Sequence, residues 1–209
     1  MLYKHVAYNI MKKEILRLII LFITITSCSQ NTTKLREVKI TSEKCKEWNL
    51  PELNITTKIP ENYNLSYNED GGFYVMARKF DDSKRLIAEI TIGRIEGELK
   101  DKHIDKALKD TENGLKSQFE TIEQINYTTS FNGESSINNI KLKHLRGVIE
   151  FRDFQPELEG KYYIFTAPII LDDNNKFMLS SMFREDEKLN SENIGIELLE
   201  FIDSIKLLD

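Results

Sequence analysis

Few residues in this 209-residue chain belong to types that do chemistry near neutral pH, and their spacing narrows the set further. The three histidines, His5, His103 and His144, stand far apart. Metal sites need imidazole and thiolate donors at short repeats, so these three make no ligand set. His144 lies among Lys141, Lys143 and Arg146, the one basic cluster. Those four residues read either as a weak binding patch for an anion or acidic partner, or as a solvated strand face balanced by nearby Glu and Asp. Asp172-Asp173-Asn174-Asn175 lacks the glycine and terminal glutamate of a calcium loop and reads as a β-turn. Asp81-Asp82 also reads as a turn, where solvent leaves little reason for a shifted pKa. There is no GxSxG elbow and no glycine-rich phosphate loop. No catalytic residue, metal ligand or cofactor is therefore expected.

The two cysteines divide sharply by context. Cys28 follows a patterned stretch, residues 11–28, MKKEILRLIILFITITSC. Lys12, Lys13 and Arg17 form a cationic start, an apolar run follows, and Ile25-Thr26-Ser27 lead into the cysteine. That is the layout of a secretory leader, and the run is too short and too cationic for a spanning helix. The last four residues resemble the lipobox of bacterial lipoproteins. The resemblance implies that Cys28 is lipidated, that cleavage falls just before it, and that the new amino terminus is acylated. Residues 1–10 fit poorly before such a leader, and Met11 is the better start. Removal of the leader would leave Cys45 as the only free thiol, either reactive or, more commonly for a free cysteine, buried and inert.

Charge limits the partners. Lys4, Lys12, Lys13 and Arg17 against Glu14 make the leader +3, so its loss takes the chain from −5 to −8. An acidic body disfavours nucleic acid and anionic lipid as general partners. The expected partners are the bilayer, through acylated Cys28, and an unknown protein or small molecule. The absence of an acidic run after Cys28 favours the periplasmic side of the outer membrane.

Those residues must sit on a scaffold, and the apolar periodicity describes one. Residues 28–49 are expected to hold the lipidated cysteine and a tether, and residues 50–209 a single domain. Leu53, Ile55, Thr57 and Ile59 alternate as one strand; Tyr63, Leu65 and Tyr67, residues 73–80 and residues 86–95 follow as a meander. Tyr63, Tyr67, Phe73 and Tyr74 would line an apolar groove or pack the sheet. Residues 101–123 carry Ile104, Leu108, Leu115, Phe119 and Ile122 at helical spacing, with Asp101 as N-cap. Further strands follow at 125–131, before an Asn132-Gly133 turn, then at 140–151, 161–170 and 177–183. A closing helix carries Ile194, Leu198, Phe201, Ile202 and Ile205. The predicted class is α+β: a mostly antiparallel sheet of about six to eight strands, with one long mid-chain helix and one C-terminal helix packed on it.

The order of these elements, the Ile-Pro-Glu-Asn-Tyr segment from Ile59 and the closing Ile202-Asp203-Ser204-Ile205 resemble the Mog1/PsbP-like fold; a cystatin- or NTF2-like domain is the alternative. Members of that group serve as accessory or binding proteins, which implies a non-catalytic binding domain here, one version being an immunity protein. The competing class is an envelope hydrolase or small-ligand carrier, which needs a deep pocket with converging polar groups.

Overall fold

The computed structural model describes residues 34–68, 71–95, 99–100, 103–137, 140–185 and 191–208. Cys28, its leader, Asp101 and the middle of the turn at 68–72 lie outside them. The folded unit is Lys34–Asp209.

Seven antiparallel strands form the main sheet: β3 (Asn64–Tyr67), β4 (Phe73–Phe80), β5 (Leu86–Gly93), β6 (Ile125–Ile137), β7 (Ile140–Phe151), β8 (Gly160–Ile170) and β9 (Lys176–Arg184). Their order across it is β3-β4-β5-β9-β8-β7-β6. The two meanders are thus joined by β9, which pairs with β5, as in Ile92 opposite Leu179. Burial follows position. In β5, Leu86, Ala88, Ile90 and Ile92 are buried and alternate with partly exposed residues. In central β8, Phe165, Thr166, Ala167, Pro168 and Ile169 are all buried, because both faces of the sheet are covered. Pro168 is tolerated there because the β7–β8 ladder ends at Thr166, opposite Leu145, so β8 has no β7 neighbour at Pro168.

A second sheet was not foreseen. Strand β1 (Leu35–Ile40) pairs antiparallel with β2 (Ile55–Pro60), whose other side takes β10 (Lys206–Leu207). Between β1 and β2 lies α1 (Ser42–Glu47), capped by Thr41, whose hydroxyl accepts from the Lys44 amide at 3.3 Å. Residues 35–49 are therefore built into the fold rather than forming a tether. Val38, Ile40 and Cys45 are buried, and that apolar burial holds the segment in place.

The other two helices are α2 (Ile104–Phe119) and α3 (Ser191–Ser204). Helix α2 packs over β6, β7 and β8; Phe119 and Ile122 join Leu86, Ile125, Ile149, Phe151 and Tyr162 in one apolar cluster. Its N-cap is His103, without a side-chain cap bond. The opposite face of the sheet carries the larger cluster, where Leu198, Phe201 and Ile202 of α3 meet Ile40, Ile55, Ile59, Phe165 and Phe177. Ser204 fixes α3 to β2, its Oγ accepting from the Lys58 amide at 2.8 Å. Strand β6 runs on through Asn132 and Gly133 to Ile137, so the turn expected there is absent. The pairing with β7 continues to Ile137 opposite Ile140, and the longer ladder outweighs the local turn preference. The α+β class, the antiparallel sheet and both helices are as expected.

Candidate functional site

Side chains on a strand alternate between its two faces, and this divides the basic cluster of β7. Lys143 lies on the α2 face. Its Nζ donates to both carboxylate oxygens of Asp105, in the first turn of α2, at 2.8 Å, and lies 3.9 Å from Glu134 on β6. The Asp105 hydrogen bond, chiefly, raises the Lys143 pKa above its ordinary value. His144 points to the other face. It is 1% exposed and stacks on Phe165, with ring centroids 5.2 Å apart. Its Nδ1 lies 3.4 Å from the Leu142 carbonyl, and Nε2 has no partner among the described residues. Burial, foremost, and the Arg146 charge lower its pKa. Arg146 is exposed on that same face, while Lys141 belongs to β7 with its side chain outside the described set. No single basic patch is brought together from Lys143, His144 and Arg146.

What the fold assembles instead is a small cleft at the start of α2. Asp105, Leu108, Gly133, Glu134 and Lys143 line a volume of about 180 Å³. Pockets that enclose a small organic ligand run to roughly 300–1,000 Å³. Two carboxylates sharing one ammonium leave the cleft mildly acidic. Neither Asp105 nor Glu134 carried a signal in the sequence, since the first stands 38 residues from Lys143. The alternation of β7, by contrast, was a usable signal for separating Lys143 from His144, which the sequence reading grouped in one cluster.

A second charged group sits on the sheet at the start of β8. Glu185 accepts from Lys161 at 2.5 Å and from the Tyr163 hydroxyl; these bonds, Lys161 first, lower its pKa. Asp81 also departs from expectation. Its carboxylate accepts the Ser83 and Arg85 amides and the Arg85 guanidinium, the Arg85 amide chiefly lowering its pKa. Asp172 caps its own turn, accepting from Asn174 and Asn175, with the Asn175 side chain foremost in lowering its pKa. The two acidic segments act as turns.

The remaining candidates are structural. Cys45 is fully buried, its Sγ 3.5 Å from the Leu53 carbonyl, and burial raises the thiol pKa. Tyr63, Phe73 and Tyr74 are buried, so they pack rather than line a groove; only Tyr67 is exposed, tilted against Trp48. His103 is exposed at the cap of α2. Among the described residues no group of three or more His, Cys, Asp or Glu is placed to hold a metal ion, and no helix is long and apolar enough to cross a membrane.

No family model matches the chain, and no curated protein matches it in sequence. Solved structures match it in shape. The solution structure of cyanobacterial PsbP (CyanoP) from Synechocystis sp. PCC 6803 superposes with a TM-score of 0.51 at 8% identity, over 86% of this chain and 96% of that one. A crystal structure from Bacteroides thetaiotaomicron VPI-5482 gives 0.46 at 10% identity, over 83% of this chain and 48% of that one. The Saccharomyces cerevisiae Ran-binding protein Mog1p gives 0.46 at 12% identity, over 85% and 97%. The likeness to cyanobacterial PsbP shows a PsbP-like fold. Identity this low carries over no binding residue.

Proposed function

We propose that the chain is a bacterial envelope lipoprotein, held to the periplasmic side of the outer membrane by acylated Cys28, whose folded unit is a non-catalytic binding or accessory domain. The observation that carries the second half is the filled interior. The space between α2 and the sheet is occupied by Phe119, Ile122, Ile125, Ile149, Phe151 and Tyr162, where a hydrolase or carrier would need an open cavity. The lipobox-like Ile25-Thr26-Ser27-Cys28 supports the first half. Fold alone does not define function, so the binding role is read from the site and not from the likeness to PsbP.

The test is isolation of the protein from its native envelope, with mass spectrometry of the mature amino terminus and of co-purifying partners. An acylated Cys28 peptide and one protein recovered in stoichiometric amount are expected. An unmodified Cys28 would contradict the first half, and turnover of an envelope component by the purified chain would contradict the second.

A further inference from the structure

All of the rim turns at one end of the main sheet lie where the folded unit begins. Strand β1 starts there, β2 ends there, and the β4–β5 and β7–β8 connections turn there. Three large apolar side chains are exposed on this rim: Leu35 (42%), Phe80 (37%) and Phe154 (39%). Contacts tie together the segments that carry them. Arg36 donates to the Tyr63 carbonyl at 2.7 Å, and Lys79 stands 5.6 Å over the Tyr63 ring, which links the start of β1 to the end of β4. Phe80 is paired with Leu86, whose amide donates to the Glu157 carbonyl at 2.8 Å, so the loop carrying Phe154 folds back beside β5.

We infer that this rim is a bilayer-contact surface, with Leu35, Phe80 and Phe154 entering the headgroup region. The inference rests on the proposed lipidation of Cys28. Six peptide links separate Cys28 from Lys34, and they reach on the order of 20 Å at most. The far rim is reached only after the 11 residues of β8, about 36 Å of strand. A lipid at Cys28 thus holds the Leu35 rim nearest the membrane. Three ion pairs lie on the rim, Arg85 with Asp81, Arg152 with Glu150 and Lys161 with Glu185, and the further acids on the same turns, Glu61, Asp82, Asp153, Glu157 and Glu159, give it no cationic attraction for anionic lipid. Contact therefore depends on apolar insertion, and a zwitterionic surface suffices.

The lipidated chain carries no other accessible thiol, since Cys45 is buried. Single variants Leu35→Cys, Phe154→Cys and, as the far-rim control, Asp173→Cys are labelled with an environment-sensitive fluorophore. They are then bound to phosphatidylcholine vesicles containing bromine-labelled lipid. Quenching at positions 35 and 154 severalfold stronger than at 173 is expected, with little change when anionic lipid is added. Chains that float with the vesicles but quench equally at all three positions, or at none, would overturn the inference and leave the anchor standing. Chains that fail to float would overturn the anchor itself, and the inference with it.

Discussion

The imidazole of His144 stacks on the ring of Phe165 at an interplanar angle of 24°, buried on the face of β7 opposite Lys143. A residue placed by sequence within a basic cluster is thus part of the packed interior.

That placement has a pH signature. Burial lowers the folded-state pKa of His144 below its ordinary value near 6.5. In the window between the folded value and 6.5 the unfolded chain binds the extra proton, so stability falls as pH is lowered through it and is complete above it. The melting temperature of the native chain should drop between pH 7.5 and pH 5 by more than that of His144→Phe. Parallel profiles for the two proteins would show that His144 contributes nothing to acid sensitivity.

Two glycines should respond in opposite directions. Gly160 has φ +126°, and a Cβ there would meet the Arg184 guanidinium at 3.0 Å. Backbone strain of this kind costs about 1–3 kcal/mol, so Gly160→Ala should destabilise by that order in urea unfolding. Gly114 lies in α2 with nothing within 4 Å of an added Cβ. Gly114→Ala should stabilise by about 0.5–1 kcal/mol, the helix propensity gain.

Buried Cys45 and Tyr74 make a chemical prediction. Thiol reagents should leave Cys45 unmodified in the native chain and react fully once it unfolds. Burial, first, and the neighbouring Cys45 push the Tyr74 hydroxyl up to about 12; the hydroxyl donates to the Pro51 carbonyl at 3.1 Å. The folded state then keeps a proton that the unfolded state loses near pH 10, and stability should decline from pH 10 to 12. Absorbance titration should show a late-titrating component that Tyr74→Phe removes, beside that of Tyr163, whose hydroxyl is raised chiefly by its hydrogen bond to Glu185.

Much of the fold was legible because its signals are local. Alternation in Ala88, Ile90 and Ile92, and helical spacing in Ile104, Leu108 and Phe119, each mark one face within a few turns of chain. The second sheet was not legible. Its strand β1 buries only Val38 and Ile40, amid exposed Leu35, Arg36, Glu37 and Lys39, and its partner β10 is two residues long. Thr41 before Ser42 and Glu43 was a usable cap signal for α1. The cleft at α2 is partly a long-range product: Glu134 and Lys143 face each other across the β6–β7 hairpin, but Asp105 joins them only because α2 crosses those strands.

Envelope fractionation tests the central claim most directly. In the native host, the wild-type chain should sediment with the membranes and leave them only in detergent, whereas Cys28→Ala should appear in the soluble fraction with the same folded unit. A single acyl chain binds membranes only marginally, so loss of every chain at Cys28 should release the protein completely. Cys28→Ala protein that remains with the membranes, in amounts equal to wild type, would contradict the account.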